Sequence, residues 1–142
     1  MAESKVPADY ILVEGYPSVG DYVHLRTASG LTPKNAEQAS AAIQGSWYGV
    51  WAAEASSPDR AVAMGRIIGD GGWYFLVADM ATLPEHQRKG LADVILKKLL
   101  ARIQSHAAKG NAYVTLGADV PGRRLYEKNG LKDTMPEVMG SK

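Results

Sequence analysis

Short apolar runs separated by turn residues dominate the chain up to Leu83. They cover Tyr10–Glu14, Ser46–Ala53, Arg60–Ile68 and Trp73–Leu83. Runs of this length, bounded by Gly, Pro, Asp and Ser, predict β-strands. The last run is almost continuously apolar, which is typical of a strand buried on both faces.

Helical spacing marks the segments between and after these strands. A first helix follows a cap at Ser18 or Asp21, and a second begins with Thr32 as its N-cap and Pro33 in its first turn. The longest helix carries apolar residues three or four positions apart from Leu91 to Ala107. These segments therefore predict amphipathic helices that pack on a sheet.

The chain after the long helix predicts a strand, a short helix and a last extended segment, over Ala112–Ala118, Arg123–Lys128 and Leu131–Met139. Strands joined by helices pair in parallel, and strands joined by hairpins pair antiparallel. The predicted fold class is therefore α/β, a central mixed sheet flanked by about four helices. Residues 10–142 are expected to form this single domain, and residues 1–9 a flexible tail.

Composition excludes several function classes. A net charge of +1 over 142 residues argues against a nucleic-acid partner bound by a basic surface. The absence of cysteine removes disulfides, thiolate metal sites and cysteine nucleophiles, and the three scattered histidines suggest no metal. Neither a signal peptide nor a membrane-length apolar run is present, so we expect a soluble cytoplasmic protein without membrane contact.

The junction between the last long strand and the long helix is basic and contains a glycine. It reads Gln87-Arg88-Lys89-Gly90-Leu91-Ala92. The first N–H groups of a helix have no intrahelical partner, so they suit an anionic phosphate, and the two cations add positive charge. A well-started helix with no ligand is the alternative interpretation of the same residues.

Two motifs resemble those of the GNAT N-acetyltransferases. Gln87-x-x-Gly90-x-Ala92 resembles the pyrophosphate loop of that family, and Asp119-x-x-Gly122-Arg123-Arg124-Leu125-Tyr126-Glu127-Lys128-Asn129-Gly130-Leu131 resembles its C-terminal helix, N-x-x-A-x-x-L-Y-x-x-x-G-F. The predicted element order is also that of the family, and the chain is similar to its small stand-alone members. Ala92 replaces the commoner glycine, and Asp119 replaces asparagine.

The resemblance implies acetyl-CoA as cosubstrate. The backbone N–H groups of residues 88–92 would bind its pyrophosphate, and its pantetheine arm would pair with the strand that ends at Leu83. The implied cofactor-binding residues are Met80, Ala81, Thr82, Leu83, Gln87, Arg88, Lys89, Gly90, Leu91, Ala92, Asp119 and Tyr126.

Two residues are catalytic candidates. A phenol can donate a proton to a departing thiolate, and Tyr126 stands at the position of the family's general acid. The alternative is that Tyr126 only packs or hydrogen-bonds the sulfur. Asp79 is the one carboxylate in the long apolar strand, where a raised pKa would let it act as a base. It is alternatively a structural acid tied to the backbone or to arginines, with the amine arriving neutral.

The acceptor is predicted to be the primary amine of a small molecule. Tyr22, Arg26, Leu31 and Asp79 are the candidate pocket residues, and Arg26 suits a carboxylate or phosphate on the acceptor. A protein or peptide N-acetyltransferase and a non-catalytic acyl-CoA-binding module are the alternatives. A homodimer is a further possibility that the resemblance raises.

Overall fold

The structure is a computed structural model that describes residues 5–116 and 120–131, with the backbone alone for residues 120–123. Its elements are β1 (Tyr10–Glu14), α1 (Val19–Ala28), α2 (Ala36–Gln44), β2 (Tyr48–Glu54), β3 (Ala61–Gly69), β4 (Tyr74–Thr82), α3 (Leu91–His106), β5 (Tyr113–Thr115) and α4 (Val120–Lys128). The predicted order of these elements is confirmed. Asp119 and most of the predicted last segment, residues 132–139, lie outside the described residues.

The strands form one mixed sheet in the order β1-β2-β3-β4-β5. The first four pair antiparallel with their neighbours, and β4 pairs with β5 in parallel. Parallel neighbours need a crossover, and α3 supplies it between β4 and β5. The predicted α/β fold with a mixed sheet and flanking helices is therefore confirmed.

Helices cover both faces of the sheet. Gly65 in β3 faces α3, because a Cβ built there would lie 3.0 Å from Ile95 and 3.1 Å from Leu99. The next residue, Arg66, points to the opposite face and donates to the carbonyl of Ala42 in α2. The buried stripe of α3 comprises Leu91, Val94, Ile95, Leu96, Leu99 and Ile103. The face of the sheet that α3 covers is therefore apolar, and the face that α2 covers carries charged groups.

The beginning of α2 differs from the prediction. The N-cap is Asn35, not Thr32, and the helix begins at Ala36. Asn35 and Gln38 form a reciprocal capping box, which satisfies two backbone N–H groups at once. The carbonyl of Thr32 instead accepts two hydrogen bonds from Arg26. The loop before α2 thereby holds Arg26, which also donates to Asp79 although 53 positions separate the two residues.

The expectation that β4 is buried on both faces is wrong. Phe75, Val77 and Ala81 are buried, and they alternate with residues that are half-buried or exposed. The residues between them lie on the second face of the strand. On that face Arg66 of β3 is the direct partner of Ala78 in the strand register. A charged side chain on that face keeps it from being part of the apolar core.

The beginning of the described chain lies against the sheet and the loop before α3. The Asp9 carbonyl accepts from the Ala55 N–H at 2.8 Å, and Pro7 Cγ lies 3.9 Å from a Cβ built at Gly90. The flexible tail over residues 1–9 stays a prediction. Within residues 5–116 and 120–131, no helix combines the length and apolar character needed to cross a bilayer; the cytoplasmic location also stays a prediction.

Asp21 joins α1 to the beginning of β3. Its Oδ2 accepts from the backbone N–H of Ala61 at 2.9 Å, and its Oδ1 accepts from Arg60 Nε at 3.1 Å. We expect Asp21→Ala to lower the free energy of unfolding by about 2 kcal/mol, because a buried N–H is left without a partner. Arg60→Ala is the control and should cost less than about 1 kcal/mol, since Arg60 is largely exposed. Urea denaturation measures both, and equal losses would contradict this role of the Ala61 N–H.

Candidate active site

A bulge in β4 re-aims the side chain of Asp79. Between two paired positions, β3 advances two residues, from Met64 to Arg66, while β4 advances three, from Ala78 to Ala81. The extra residue gives Asp79 a φ of 57°, in the left-handed region that aspartate tolerates better than most residues. The carboxylate therefore points to the α1 and α2 side of the sheet, where Tyr22, Arg26 and Arg66 meet it.

The outer edge of β4 opens beyond Leu76. The pairing with β5 ends at Leu76 and Thr115, so the rest of that edge faces no strand in the described part of the chain. On the other edge, the Leu83 N–H donates to Val62 at 2.9 Å. Because antiparallel pairing alternates, the backbone groups of Thr82 point outward. Of the last two residues predicted to pair with pantetheine, Thr82 thus directs its backbone N–H and carbonyl to the outer edge, and Leu83 directs its N–H to β3.

The loop after β4 presents a row of backbone N–H groups. A 3-10 turn, Pro84–His86, leads into Arg88 at φ 62° and Gly90 at φ 87°, and α3 begins at the next residue. Left-handed residues next to a helix start arrange successive N–H groups around a concave anion site. No hydrogen bond from the N–H groups of residues 88–92 exists within the described ranges. The side chains of Gln87, Arg88 and Lys89 are exposed, and Gln87 Nε2 donates to the Thr82 carbonyl at 3.2 Å.

Asp93 connects this loop to α4. It lies in the first turn of α3, where its Oδ1 accepts from Asn129 Nδ2 at 3.1 Å and lies 3.6 Å from Lys128 Nζ. Lys97 Nζ also donates to it, at 2.7 and 2.9 Å. The last turn of α4 is thus bound to the first turn of α3. Tyr126 lies in that part of α4 and packs, partly buried, against the hydrophobic core, so the two sequence motifs come together.

Asp79 is the centre of a hydrogen-bonded charge cluster. Its Oδ2 accepts from Tyr22 Oη and, at 2.6 Å, from Arg66 Nε, and its Oδ1 accepts from Arg26 Nη1. The side chains of Asp79, Arg26 and Arg66 are 7%, 13% and 13% exposed, so this cluster is shielded from water. Buried charges of this kind need complete pairing, which the three donors supply.

The cluster lowers the pKa of Asp79. Burial alone would raise this pKa, but hydrogen bonds from Tyr22 and Arg66 and the positive charges of both arginines outweigh it. The same burial, together with the neighbouring carboxylate, raises the pKa of Tyr22 to about 12. The expectation of a raised pKa for Asp79 is therefore wrong, and the alternative of an acid bound to arginines is what the structure contains. The base role itself stays a prediction.

The pH dependence of an Asp79→Asn variant tests that role. A carboxylate whose pKa is lowered by folding stabilises the protein above its ordinary pKa, and this stability is lost as the pH falls through the lowered value. We therefore expect wild type to exceed the variant by about 2 kcal/mol at neutral pH, and the difference to shrink below about pH 4. Urea denaturation at several pH values measures it. A base with a raised pKa would instead give kcat/KM an acid limb between about pH 5 and 7 that the variant lacks.

A cavity of about 200 Å³ lies beside the charge cluster, between α1, α2 and the sheet. Of the predicted pocket residues, Tyr22, Arg26 and Asp79 line it, and Leu31 packs against the hydrophobic core. The full lining is Tyr22, Arg26, Lys34, Gln38, Ala39, Ala42, Arg66 and Asp79. It adjoins the bulge of β4 through Asp79.

His86 has a structural role. Its Nδ1 is 2.6 Å from Tyr10 Oη and its Nε2 is 3.6 Å from Glu54 Oε1. Only 13% of its side chain is exposed, and its ring packs edge-on against that of Tyr10. These contacts hold the beginning of the loop to β1 and β2. Within the described ranges, no three His, Asp or Glu side chains gather as a metal site would require.

Sequence reasoning missed four residues of the site. Arg66, Lys34 and Gln38 line the cavity, and Asp93 joins α3 to α4. The available signals were Arg66 as a lone charge inside an apolar strand and Asp93 as an acid in the first turn of a helix that begins at an anion loop. Neither signal identifies the partner, because the partners are distant in sequence.

Comparison with known proteins agrees with this geometry. The family model of the Acetyltransferase (GNAT) domain matches residues 46–132. The chain belongs to the GNAT acetyltransferase family. A probable acetyltransferase of unknown function from methicillin-resistant Staphylococcus aureus is 31% identical, with a TM-score of 0.84 over 94% of this chain and 97% of that one. A sequence search of curated proteins finds no match.

Two solved structures of lower sequence identity share the GNAT fold with the present chain. A GNAT-family acetyltransferase from Streptococcus pneumoniae is 21% identical, with a TM-score of 0.73 over 94% of this chain and 98% of that one. A predicted acetyltransferase from Clostridium acetobutylicum, solved with acetyl-CoA, is 16% identical, with a TM-score of 0.71 over 93% and 96%. The predicted family and enzyme class are thus confirmed.

Proposed function

We propose that this GNAT protein transfers the acetyl group of acetyl-CoA directly to the primary amine of a small molecule. The observation that carries the proposal is the meeting of three features at one place. The N–H loop at residues 88–92 is joined to β4 by the hydrogen bond from Gln87 to the Thr82 carbonyl, and through Asp93 to the end of α4, the helix that carries Tyr126. A cavity for an acceptor is lined by Asp79 of the same strand.

The residues fit acetyl-CoA in charge and in hydrogen bonding. N–H groups that have no partner among the described residues, together with the cations Arg88 and Lys89, suit a pyrophosphate, and a strand edge that no described strand covers suits an amide-containing arm. When bound, acetyl-CoA supplies a thioester carbonyl carbon, which forms a bond to the amine nitrogen while its bond to sulfur breaks. An outward backbone N–H of β4 would polarise the carbonyl oxygen, as in an oxyanion hole.

Two protons must move during the transfer. Tyr126 Oη is proposed to donate one to the departing sulfur. The other leaves the amine nitrogen, and we assign it to water because the carboxylate of Asp79 is a weak base in its cluster. The amine then reacts in its neutral form. No cysteine is present to form an acyl-enzyme, which favours direct transfer.

A screen of amines tests the proposal. Purified protein with acetyl-CoA and panels of polyamines, arylalkylamines, amino sugars, amino acids and short peptides is assayed for release of CoA thiol. We expect turnover with one class of small amine. Turnover with peptides alone would identify a peptide N-acetyltransferase. Tight binding of acetyl-CoA with no turnover of any amine would identify an acyl-CoA-binding module and overturn the proposal.

The pH profile separates water from Asp79 as the proton acceptor. If the amine reacts in its neutral form, the acid limb of kcat/KM follows the pKa of the amine used. We expect the limb to move when the acceptor is replaced by one with a lower amine pKa, and to stay unmoved in Asp79→Asn. A limb that is independent of the acceptor and absent from the variant would assign the base to Asp79.

A further inference from the structure

The cavity beside Asp79 has an excess of positive charge. Three cations line it, Arg26, Lys34 and Arg66, against the single carboxylate of Asp79. That carboxylate already accepts from Tyr22 and from both arginines, so its charge is shared between two guanidinium groups. Lys34 is exposed and makes no ion pair within the part of the chain that the structure describes. The cavity thus carries two more positive charges than negative ones.

Three side chains that line the cavity carry a hydrogen-bond donor without a partner in the described ranges. Arg66 uses Nε for Asp79 and Nη1 for Ala42 and Ser46, and Nη2 has no partner in the described ranges. No buried side-chain nitrogen or oxygen described by the structure lacks a partner, so this Nη2 is reached by solvent. Gln38 uses Oε1 to accept from the Asn35 N–H, which leaves its Nε2 as an unpaired donor. Lys34 Nζ is the third.

We propose that the acceptor amine carries an anionic oxygen group, a carboxylate or a phosphate, which Lys34, Gln38 and Arg66 bind in this cavity. This inference rests on the proposed acetyl transfer. Unpaired donors in a half-enclosed space with net positive charge bind an anionic oxygen group more strongly than a neutral one, and they disfavour a cationic group. Arg66 can offer Nη2 without releasing Asp79, because its guanidinium has five N–H groups and a fixed geometry.

The size and position of the cavity constrain the rest of the acceptor. A volume of about 200 Å³ is below the range of roughly 300–1,000 Å³ that holds drug-sized ligands, so the acceptor is small. Ala39 and Ala42 provide a small apolar wall on the α2 side. The bulge of β4 lies on the opposite wall with Asp79, next to the open strand edge. The anionic end therefore lies toward α2, and the amine toward β4.

Matched acceptors test the proposal. The best acceptor of the amine screen is compared with a counterpart that differs from it in the anionic group. Two pairs are measured in every case: γ-aminobutyrate with its amide, and aminoethyl phosphate with ethanolamine. Rates are expressed per concentration of unprotonated amine, which removes differences in amine pKa. We expect kcat/KM to be at least about tenfold higher for the anionic member, the value of one charge-assisted hydrogen bond. Preference for the neutral members would overturn the proposal and leave acetyl transfer intact.

Variants of Lys34 locate the anion. Lys34 is exposed and outside the core, so Lys34→Gln should fold; we expect it to raise KM for the anionic acceptors about tenfold more than KM for their neutral counterparts. Lys34→Glu should raise KM further. Lys109→Gln, an exposed lysine between α3 and β5, is the control and should change neither. Equal effects of Lys34→Gln on both members of a pair would contradict the assignment.

Calorimetry keeps the two proposals distinguishable. Binding of aminoethyl phosphate to the protein saturated with CoA is measured for wild type and Lys34→Gln. If the variant binds aminoethyl phosphate about tenfold more weakly than wild type, the anion site is supported. This holds even if no amine turns over, because absence of turnover would overturn only the proposed acetyl transfer. Equal binding in both proteins, or none, overturns the anion site.

Discussion

Replacement of Tyr126 by phenylalanine is expected to lower kcat at least about 100-fold, since a positioned general acid contributes roughly 10²–10⁴-fold. The physical reason is the departing thiolate of CoA, which leaves slowly when no proton donor meets it. Phenylalanine keeps the ring that packs against the core, so α4 and its bond from Asn129 to Asp93 should be unchanged. Steady-state assays with acetyl-CoA and the best amine of the screen measure kcat.

The dissociation constant for CoA is the second readout for this variant. We expect calorimetry to give the same value as wild type, because the proposed contact of the hydroxyl is with the sulfur during departure. Tyr113→Phe removes an exposed hydroxyl in β5 and is the matched control, with kcat unchanged. A kcat for Tyr126→Phe within a factor of about two of wild type would show that Tyr126 only packs, and the proposed acid would be wrong.

Replacement of Gly90 by valine should abolish useful binding of acetyl-CoA. Gly90 has a φ of 87°, where a β-branched residue is strongly strained, so the loop must change its backbone conformation. The N–H groups of residues 88–92 then no longer converge on one anion. Loss of two charge-assisted hydrogen bonds raises the dissociation constant at least about 100-fold. Calorimetry with acetyl-CoA measures this loss directly.

Gly110→Val separates loop geometry from general strain. Gly110 also has a positive φ, 126°, and a Cβ built there meets nothing within 4 Å. It lies between α3 and β5, away from residues 87–92 in the sequence. We expect this variant to be less stable than wild type but to bind acetyl-CoA with the wild-type affinity. If Gly90→Val binds as well as Gly110→Val, the pyrophosphate does not lie on this loop.

Local patterns were sufficient to predict most of the fold. The apolar stripe of α3 and the turn residues between β3 and β4 act within a few positions, so the sequence alone identifies those elements. The beginning of α2 is different, because Thr32-Pro33 and Asn35-x-x-Gln38 are both valid start signals. Tertiary structure decides between them: Arg26 takes the Thr32 carbonyl, and the capping box is left to begin the helix.

The bulge in β4 could not be predicted from the pattern. An almost continuous apolar run gives no alternation from which a shift of register can be read, and one extra residue moves a side chain to the other face. Asp79 was therefore assigned to the same candidate pocket as Tyr22 and Arg26, but its hydrogen bonds to them and to Arg66 were not predicted. The pKa of Asp79 depends on Tyr22, Arg26 and Arg66, and the first two lie more than fifty residues away along the chain.

The loop and α4 were predicted separately, and their contact was not. Each motif is local and readable, but the bond from Asn129 to Asp93 spans 36 residues. This bond brings the end of α4, the helix of Tyr126, to the beginning of α3, which follows the Gly90 loop. The cavity likewise depends on Arg66 in β3 meeting Lys34 and Gln38, which lie around the beginning of α2, a contact between segments about thirty residues apart that local patterns do not reveal.

The most direct test of the account follows the acetyl group itself. The protein is mixed with acetyl-CoA that carries an isotopic label in the acetyl group and with the best amine of the screen, and products are analysed by mass spectrometry. We predict that the label appears in the amide of the amine, with one CoA thiol released for each amide formed and no label on the protein. CoA release without labelled amide, or an acetylated protein that passes its label to the amine, would contradict direct transfer.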